Sequence, residues 1–357
     1  NSLINLAAMH HKPETPLQWI ITVADRLSSG LDRQDFEGEA AGVAYRDFRK
    51  TRLIPISEEL SRGIEFYKND TLETYQYRYR LREQSPEQVF PVPKAEADSP
   101  NDASAMEEYA TLFATFTNGL NALDHRDYPT LWMGHFTSLW KRFASCIPAA
   151  TVGKVIPDVS LYDHCRATAA LAGALYRYHT ETGTLQESAI INNKPDKFIL
   201  VSGDFYGIQK FIFSEGGSTN KAAAKLFRGR SFAVSLLSEL ASDQLCHALG
   251  LSETSVLLDA AGKFTIIAPN LPGTIAEIKR VEQELNEWMI KHFYGETTIG
   301  LSWVAASGNN LEMEHFPNLY KRLFEMSNEK KYRKFDLDTH AGVVGSYLDS
   351  FDNTQSS

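Results

Sequence analysis

Hydrophobic positions recur along the chain with two different periods. In PLQWIITVADRL (16–27), Leu17, Ile20, Ile21, Ala24 and Leu27 share one stripe at helical spacing. Ser28-Ser29-Gly30 predicts the end of that helix. In YQYRYRLR (75–82) the period is two. Tyr75, Tyr77, Tyr79 and Leu81 alternate with Gln76, Arg78, Arg80 and Arg82, which predicts a strand with one basic face. Residues 105–180 read as helical. Phe113, Phe116, Trp132, Phe136, Trp140 and Phe143 recur there at helix-like spacings and are read as core. Pro148 and Pro157 interrupt the segment, and a helix rich in alanine follows, suited to close packing.

The clearest pattern runs from 197 to 306. An apolar strand, 197–202, stops at Gly203 and is followed by a loop, DFYGIQKFIF. A long helix over about 221–249 puts Val234, Leu237, Ala241, Leu245 and Ala248 on one face. SVLLDAAGKFTIIAP reads as two strands around a tight Ala-Gly turn. Thr274 and Glu277 have the spacing of a capping box opening a helix over 274–293, with Ile275, Ile278, Val281, Leu285 and Met289 as its buried stripe. TIGLSWVAA is the last strand. The order is βαββαβ, the ferredoxin-like arrangement that polymerase and nucleotidyl cyclase palms share. It predicts an antiparallel four-stranded sheet with strands 1 and 3 central and both long helices on one face. The fold class is α+β: an all-helical N-terminal portion followed by this palm.

Composition narrows the picture further. The 357 residues suggest two or three domains, and 43% hydrophobic with 23% charged residues is an ordinary globular balance. A net charge of −9 argues against a generally basic, nucleic-acid-coating surface but leaves room for local patches. Cys146, Cys165 and Cys246 form no CxxC pair, which fits a reducing cytoplasm and suggests neither zinc nor a disulfide framework. No apolar run approaches the length of a membrane span, and no leader is visible. The apolar start, NSLINLAAMHH, and the polar end, SFDNTQSS, read as cuts in a longer protein. Residues 86–104, rich in Pro, Asp and Ser, read as a linker.

Three sets of residues carry candidate chemistry. A working palm holds two divalent ions between a carboxylate at the end of its first strand and another in the turn between strands two and three. Asp204 fits the first place. The second place reads Asp259-Ala260-Ala261-Gly262-Lys263, which argues against two-metal catalysis by this palm alone. Two readings of Asp204 remain: it caps the turn after the strand, or it belongs to a palm that binds a nucleotide without activating it. Lys221, Lys225, Arg228 and Arg230 crowd the start of the long helix with no acid among them. They form either a solvated basic face or, with the helix dipole, a phosphate cradle. SEGGSTN before them is not a P-loop. The third set is His10, His11 and Asp25, residue types that build metal nucleases. Asp163-His164 stands at a helix start, where capping suffices to explain it. Arg78, Arg80 and Arg82 are a solvated strand face or a contact for RNA.

Several stretches together resemble one family: HHKPETP with ADRLSSG (10–30), CIPAATVGKVIPDVSLYDHCRATAALAGALY (146–176), SGDFYGIQKFIF (202–213), KLFRGRSFAVSLLSEL (225–240), AAGKFTIIAPN (260–270) and KFDLDTHAG (334–342). The chain is similar to the large, polymerase-like subunit of type III-A, Csm-type CRISPR interference complexes. The resemblance implies the C-terminal part of an HD-type single-stranded DNA nuclease over 1–85. It further implies a linker and helical domain over 86–196, a first palm over 197–310, and a helical extension over 311–357 leading to a zinc-bearing domain. Asp25 would match the last metal-binding acid of the HD motif, with His10 and His11 in the stretch before it and the defining His-Asp pair upstream. The family's first palm lacks the catalytic acid pair, as AAGK at 260–263 does, and no GGDD occurs in the chain. ATP, with Mg²⁺ or Mn²⁺ in the parent protein, is the implied cofactor set, and cyclic oligoadenylates the product. Asp204, Phe205, Tyr206, Gly207, Lys221, Lys225, Arg228, Arg230 and Lys263 would line the nucleotide site, with Phe205 or Tyr206 against the base. The implied partners are other Csm-type subunits, guide and target RNA, and single-stranded DNA, in the cytoplasm and away from membranes. The alternative is a catalytically silent scaffold that docks the other subunits and the guide RNA.

Overall fold

The computed structural model describes residues 2–32, 43, 45–60, 72–213, 223–293 and 295–333. The chain divides into two compact units, 28–168 and the combination of 1–27 with 169–357.

Helix α1 spans Pro16–Asp32. It does not stop at Ser28-Ser29-Gly30 as expected. The Ser28 hydroxyl is buried against the ring and the carbonyl of His164, 3.2 Å from each, so tertiary contact overrides the local stop signal. The expected strand over 75–82 shrinks to β1, Tyr77–Arg78, paired antiparallel with β2, Val92–Pro93. Nor is the stretch 86–104 a bare linker. Ala97 and Ser99 are buried, and the Ser99 hydroxyl donates to Glu108 at 2.8 Å. Helices α2 (Asp102–Asn121) and α3 (Pro129–Ala144) follow. Of the aromatics expected in their core, Phe143 is buried with Leu81 and Leu112, while Phe116 and Trp140 pack partly beside it. Phe113 is 69% exposed, whereas Phe116, one turn further along the helix, is half-buried. Helix α4, Leu161–Glu181, starts at Ser160, whose hydroxyl accepts from the Asp163 amide at 3.0 Å and donates to its carboxylate at 2.6 Å.

The palm has the expected order. After the short helix α5 (Glu187–Ile190) come β3 (Phe198–Tyr206), α6 (Ile208–Phe213), α7 (Ala223–Ala248), β4 (Val256–Ala260), β5 (Lys263–Pro269), α8 (Thr274–Phe293) and β6 (Thr298–Ala306). The sheet order is β4-β5-β3-β6, all antiparallel, so the first and third palm strands are central. Alternation along β3 gives the sheet two buried faces. Ile199, Val201 and Phe205 meet Val234, Ala241 and Leu245 of α7 and Ile278, Val281 and Met289 of α8. Phe198 and Leu200 face the other way, in a cluster with α1, α4 and helix α9, Phe316–Lys331, which contributes Leu319 and Leu323.

One local detail differs from expectation, and the tight hairpin turn follows it. The Thr274–Glu277 capping box does not form. The Thr274 hydroxyl donates to the Pro269 carbonyl at 2.8 Å, and the Glu277 amide donates to Gly273. The Ala-Gly turn forms as a two-residue loop with φ of 55° at Ala261 and 79° at Gly262. Positive φ at both positions is the hairpin turn whose twist matches the strands.

Candidate functional site at the end of the palm sheet

Asp204 lies inside β3, not in a loop after it, because β3 continues to Tyr206. It is therefore no turn cap. Across the sheet it pairs with Lys263 of β5 on one side and Gly300 of β6 on the other. Directly opposed residues project to the same face, so Asp204 and Lys263 stand side by side. Their Oδ2–Nζ distance is 3.4 Å. A second ammonium, Lys331 at the end of α9, stands 3.1 Å from the same oxygen. The Asp204 side chain is 4% exposed, whereas those of Lys263 and Lys331 are 49% and 39% exposed. Behind them the Glu282 carboxylate accepts from the Leu301 amide at 3.0 Å and from Lys330 at 2.8 Å.

The register also settles where Asp259 points. Ala260 opposes Lys263, which opposes Asp204, so Asp259 is one residue out of phase and projects to the other face. The hydroxyl of Ser238 on α7 donates to it there at 3.2 Å. The two carboxylates cannot share a metal ion.

The aromatic residues after Asp204 are not free to stack on a base. Phe205 is buried in the core beneath α7. Tyr206 is 5% exposed, and its hydroxyl donates to the Ser327 carbonyl at 3.4 Å. Its ring lies over Gly300, where an added Cβ would come within 2.1 Å of the phenolic oxygen. Burial, with Asp204 and Glu282 adding negative charge nearby, raises the Tyr206 phenol well above its ordinary range. Gly207 turns the chain from β3 into α6 with φ 82°.

The basic start of α7 sits at the same end of the sheet. The hairpin turn at Gly262 packs against Val234, one turn beyond Arg230. Lys225 and Arg228 are exposed, and no acid lies in the first turn. Arg228 Nε donates to Ala224, and Arg230 Nη1 to the Ile212 carbonyl. Lys221 lies outside the described residues. Lys331 escaped sequence reading altogether. Its only signal is a Lys-Lys pair at a helix end, which usually serves the helix dipole.

The other two candidate sets are altered. Arg78 is 4% exposed, with its guanidinium donating to the carbonyls of Tyr77 and Leu72. Burial lowers its pKa, against Asp98, Glu58 and Glu73, which raise it. The three-arginine face is therefore not formed. Arg80 pairs with Glu96 at 2.7 Å and Arg82 is exposed. His10 and His11 have ring centroids 3.9 Å apart, and the His10 carbonyl accepts from Thr22, three residues before Asp25. Among the described residues no group of three or more His, Cys, Asp or Glu side chains is placed to hold a metal ion. Nor is any helix among them long and apolar enough to cross a membrane.

Comparison with known proteins agrees with this architecture. Residues 197–343 match the family model for Csm1 subunit domain B. The "CRISPR system single-strand-specific deoxyribonuclease Cas10/Csm1 (subtype III-A)" of Enterococcus italicus is 27% identical over 360 residues, covering 95% of this chain and 45% of that protein. The chain thus spans less than half the length of the curated relatives it matches. Its fold is shared with two crystal structures of a Csm1–Csm4 cassette. One is in complex with cA4 (TM-score 0.63, 22% identity, 89% of this chain and 37% of that one). The other is in complex with AMPPNP (TM-score 0.61, 23% identity, 89% and 37%). The strand order, the residues matched and the relatives agree: residues 197–343 match Csm1 subunit domain B, and over nearly its whole length the chain is similar to the Cas10/Csm1 proteins of CRISPR subtype III-A.

Proposed function

We propose that this chain provides the non-catalytic, nucleotide-holding palm for synthesis of cyclic oligoadenylates from ATP in a type III-A effector complex. Its first residues belong, in the same reading, to a single-stranded DNA nuclease domain. The observation that carries the proposal is the ion pair between Lys263 and Asp204. Nucleotidyl transfer by two metals needs two carboxylates converging on them. In this palm the second place is filled by a lysine, and Asp259 projects from the opposite face. A divalent ion does not fit beside Asp204, whose exposed side is flanked by two ammonium groups. Those cations suit phosphate instead, as do Lys225 and Arg228 at the helix start. Csm1–Csm4 cassettes that share this fold occur in complex with cA4 and with AMPPNP, which supports a nucleotide-holding role. The catalytic carboxylates would come from a second, GGDD-bearing palm. The name of the Enterococcus relative supports the nuclease assignment, with Asp25 and the histidines as part of a larger ligand set.

A second reading, a silent scaffold, draws on a different observation. Phe232, Leu236 and Leu240 stand exposed on α7 at a spacing of four residues, a stripe suited to docking another Csm-type subunit. Arg80 and Arg82 would then face the guide or target RNA. Assembling the effector complex with Lys225→Ala/Arg228→Ala separates the readings. Loss of oligoadenylate synthesis with target-RNA binding intact supports nucleotide holding. Full synthesis leaves only the scaffold.

A further inference from the structure

Resting on the nucleotide-holding reading, we propose that Asp204 is a positioning residue. It is a buried counter-ion that aims Lys263 and Lys331 as a two-ammonium grip for the triphosphate of ATP.

The geometry assigns the roles. One carboxylate oxygen, Oδ2, faces both Nζ atoms, at 3.4 and 3.1 Å, and makes no hydrogen bond of good geometry. Asp204 is anchored in the central strand, so it cannot follow the lysines outward. The lysines come from separate elements, the start of β5 and the end of α9, and their ammonium groups meet at the same anion. Each ammonium carries three donors. Lys331 directs one to Asn328 Oδ1 at 3.4 Å, and both lysines keep a large solvent-exposed fraction. The local charge is also unbalanced. Among the described residues of these ion pairs, Asp204 and Glu282 supply two negative charges, while Lys263, Lys330 and Lys331 supply three positive ones. The surplus cation stands on the face of the sheet opposite α7. A polyanion would take up the free donors and the surplus charge together. A metal ion at Asp204 would meet the two ammonium groups already facing that carboxylate.

This assigns a role to α9. The helix closes one face of the palm through Leu319 and Leu323, and its last residue delivers a ligand-binding cation. Nucleotide recognition would then depend on a segment after the last palm strand.

The test uses the effector complex containing the whole subunit, and reads kcat and KM for ATP in oligoadenylate synthesis. Lys331→Ala is expected to raise KM about tenfold, the worth of one charge-assisted phosphate contact, with kcat changed little. Asp204→Asn should raise KM similarly, and Asp204→Glu should restore part of it. In a background of Lys263→Ala/Lys331→Ala, Asp204→Asn should cost nothing further, because nothing remains to be aimed. The Mg²⁺ dependence of the rate should not move in any of these variants. A KM unaffected by Lys331→Ala, while Lys225→Ala/Arg228→Ala abolishes synthesis, overturns the grip and leaves the palm a nucleotide holder. An Asp204→Asn enzyme that needs more Mg²⁺ makes Asp204 a metal ligand and overturns it too. Synthesis indifferent to all of these substitutions overturns both readings. Lys331 ends a helix and is half exposed, so its truncation does not threaten the fold.

Discussion

His179 and Lys197 are basic side chains buried in the same unit. His179 directs Nδ1 at the carbonyl and hydroxyl of Thr184, while its Nε2 has no hydrogen-bond partner among the described residues. Burial, then the charge of Lys197, pushes the imidazole down to about 4. Between pH 4 and 6.5 the unfolded chain binds a proton that the folded chain refuses. Stability from this group is therefore complete above pH 6.5 and falls as pH drops towards 4, by about 2–3 kcal/mol. Denaturant titrations at pH 7 and pH 4.5 should show the loss, and His179→Gln should remove this part of the slope. Lys197 donates to the carbonyls of Ala189 and Ile190 at 2.7 and 2.8 Å, closing the end of α5. Burial lowers its pKa to about 8, so stability from this group rises as pH climbs from 8 towards 10.5. Lys197→Met leaves both carbonyls unsatisfied and should cost about 1–3 kcal/mol, read as a lower denaturation midpoint. A midpoint unchanged by that substitution would mean water replaces the ammonium there.

Among the elements, α9 is where packing and the candidate site meet. Leu323 is 2% exposed in the cluster with Phe198, Leu200 and Val304. Leu323→Ala should cost about 2–5 kcal/mol. It should also loosen the helix end that carries Lys331, so weakened nucleotide binding would accompany the lower melting temperature. The palm elements were legible in the sequence because each keeps a strict period and the Ala-Gly turn is unambiguous. Asp204 was legible as a residue of interest, but its setting was not. A glycine reads as a strand end, yet at Gly203 the bare backbone admits the Phe264 ring across the sheet and the strand continues. The basic face of YRYRLR failed for a tertiary reason. Glu58 accepts from the amides of Gln76 and Tyr77, and Arg78 turns inward to backbone carbonyls that no local pattern reveals. Lys331 was invisible because 127 positions separate it from Asp204. Only the packing of α9 on the sheet brings them together.

At the scale of the whole molecule, the chain spans less than half the length of its curated relatives, and the proposed roles divide accordingly. In the proposed reading His10, His11 and Asp25 are only part of a larger nuclease ligand set, so incubation of this chain with single-stranded DNA and Mn²⁺ should leave the DNA intact. Efficient cleavage abolished by Asp25→Ala would contradict that expectation. The central claim is that this palm holds ATP and does not polymerise it. The most direct measurement is mass spectrometry of the products after this chain alone is incubated with ATP, Mg²⁺ and target RNA. The account predicts unchanged ATP, because a lysine stands where the second metal-binding carboxylate is required. Oligoadenylate formed by this chain, and lost in Asp204→Asn, would show that Asp204 is catalytic and that the claim is wrong.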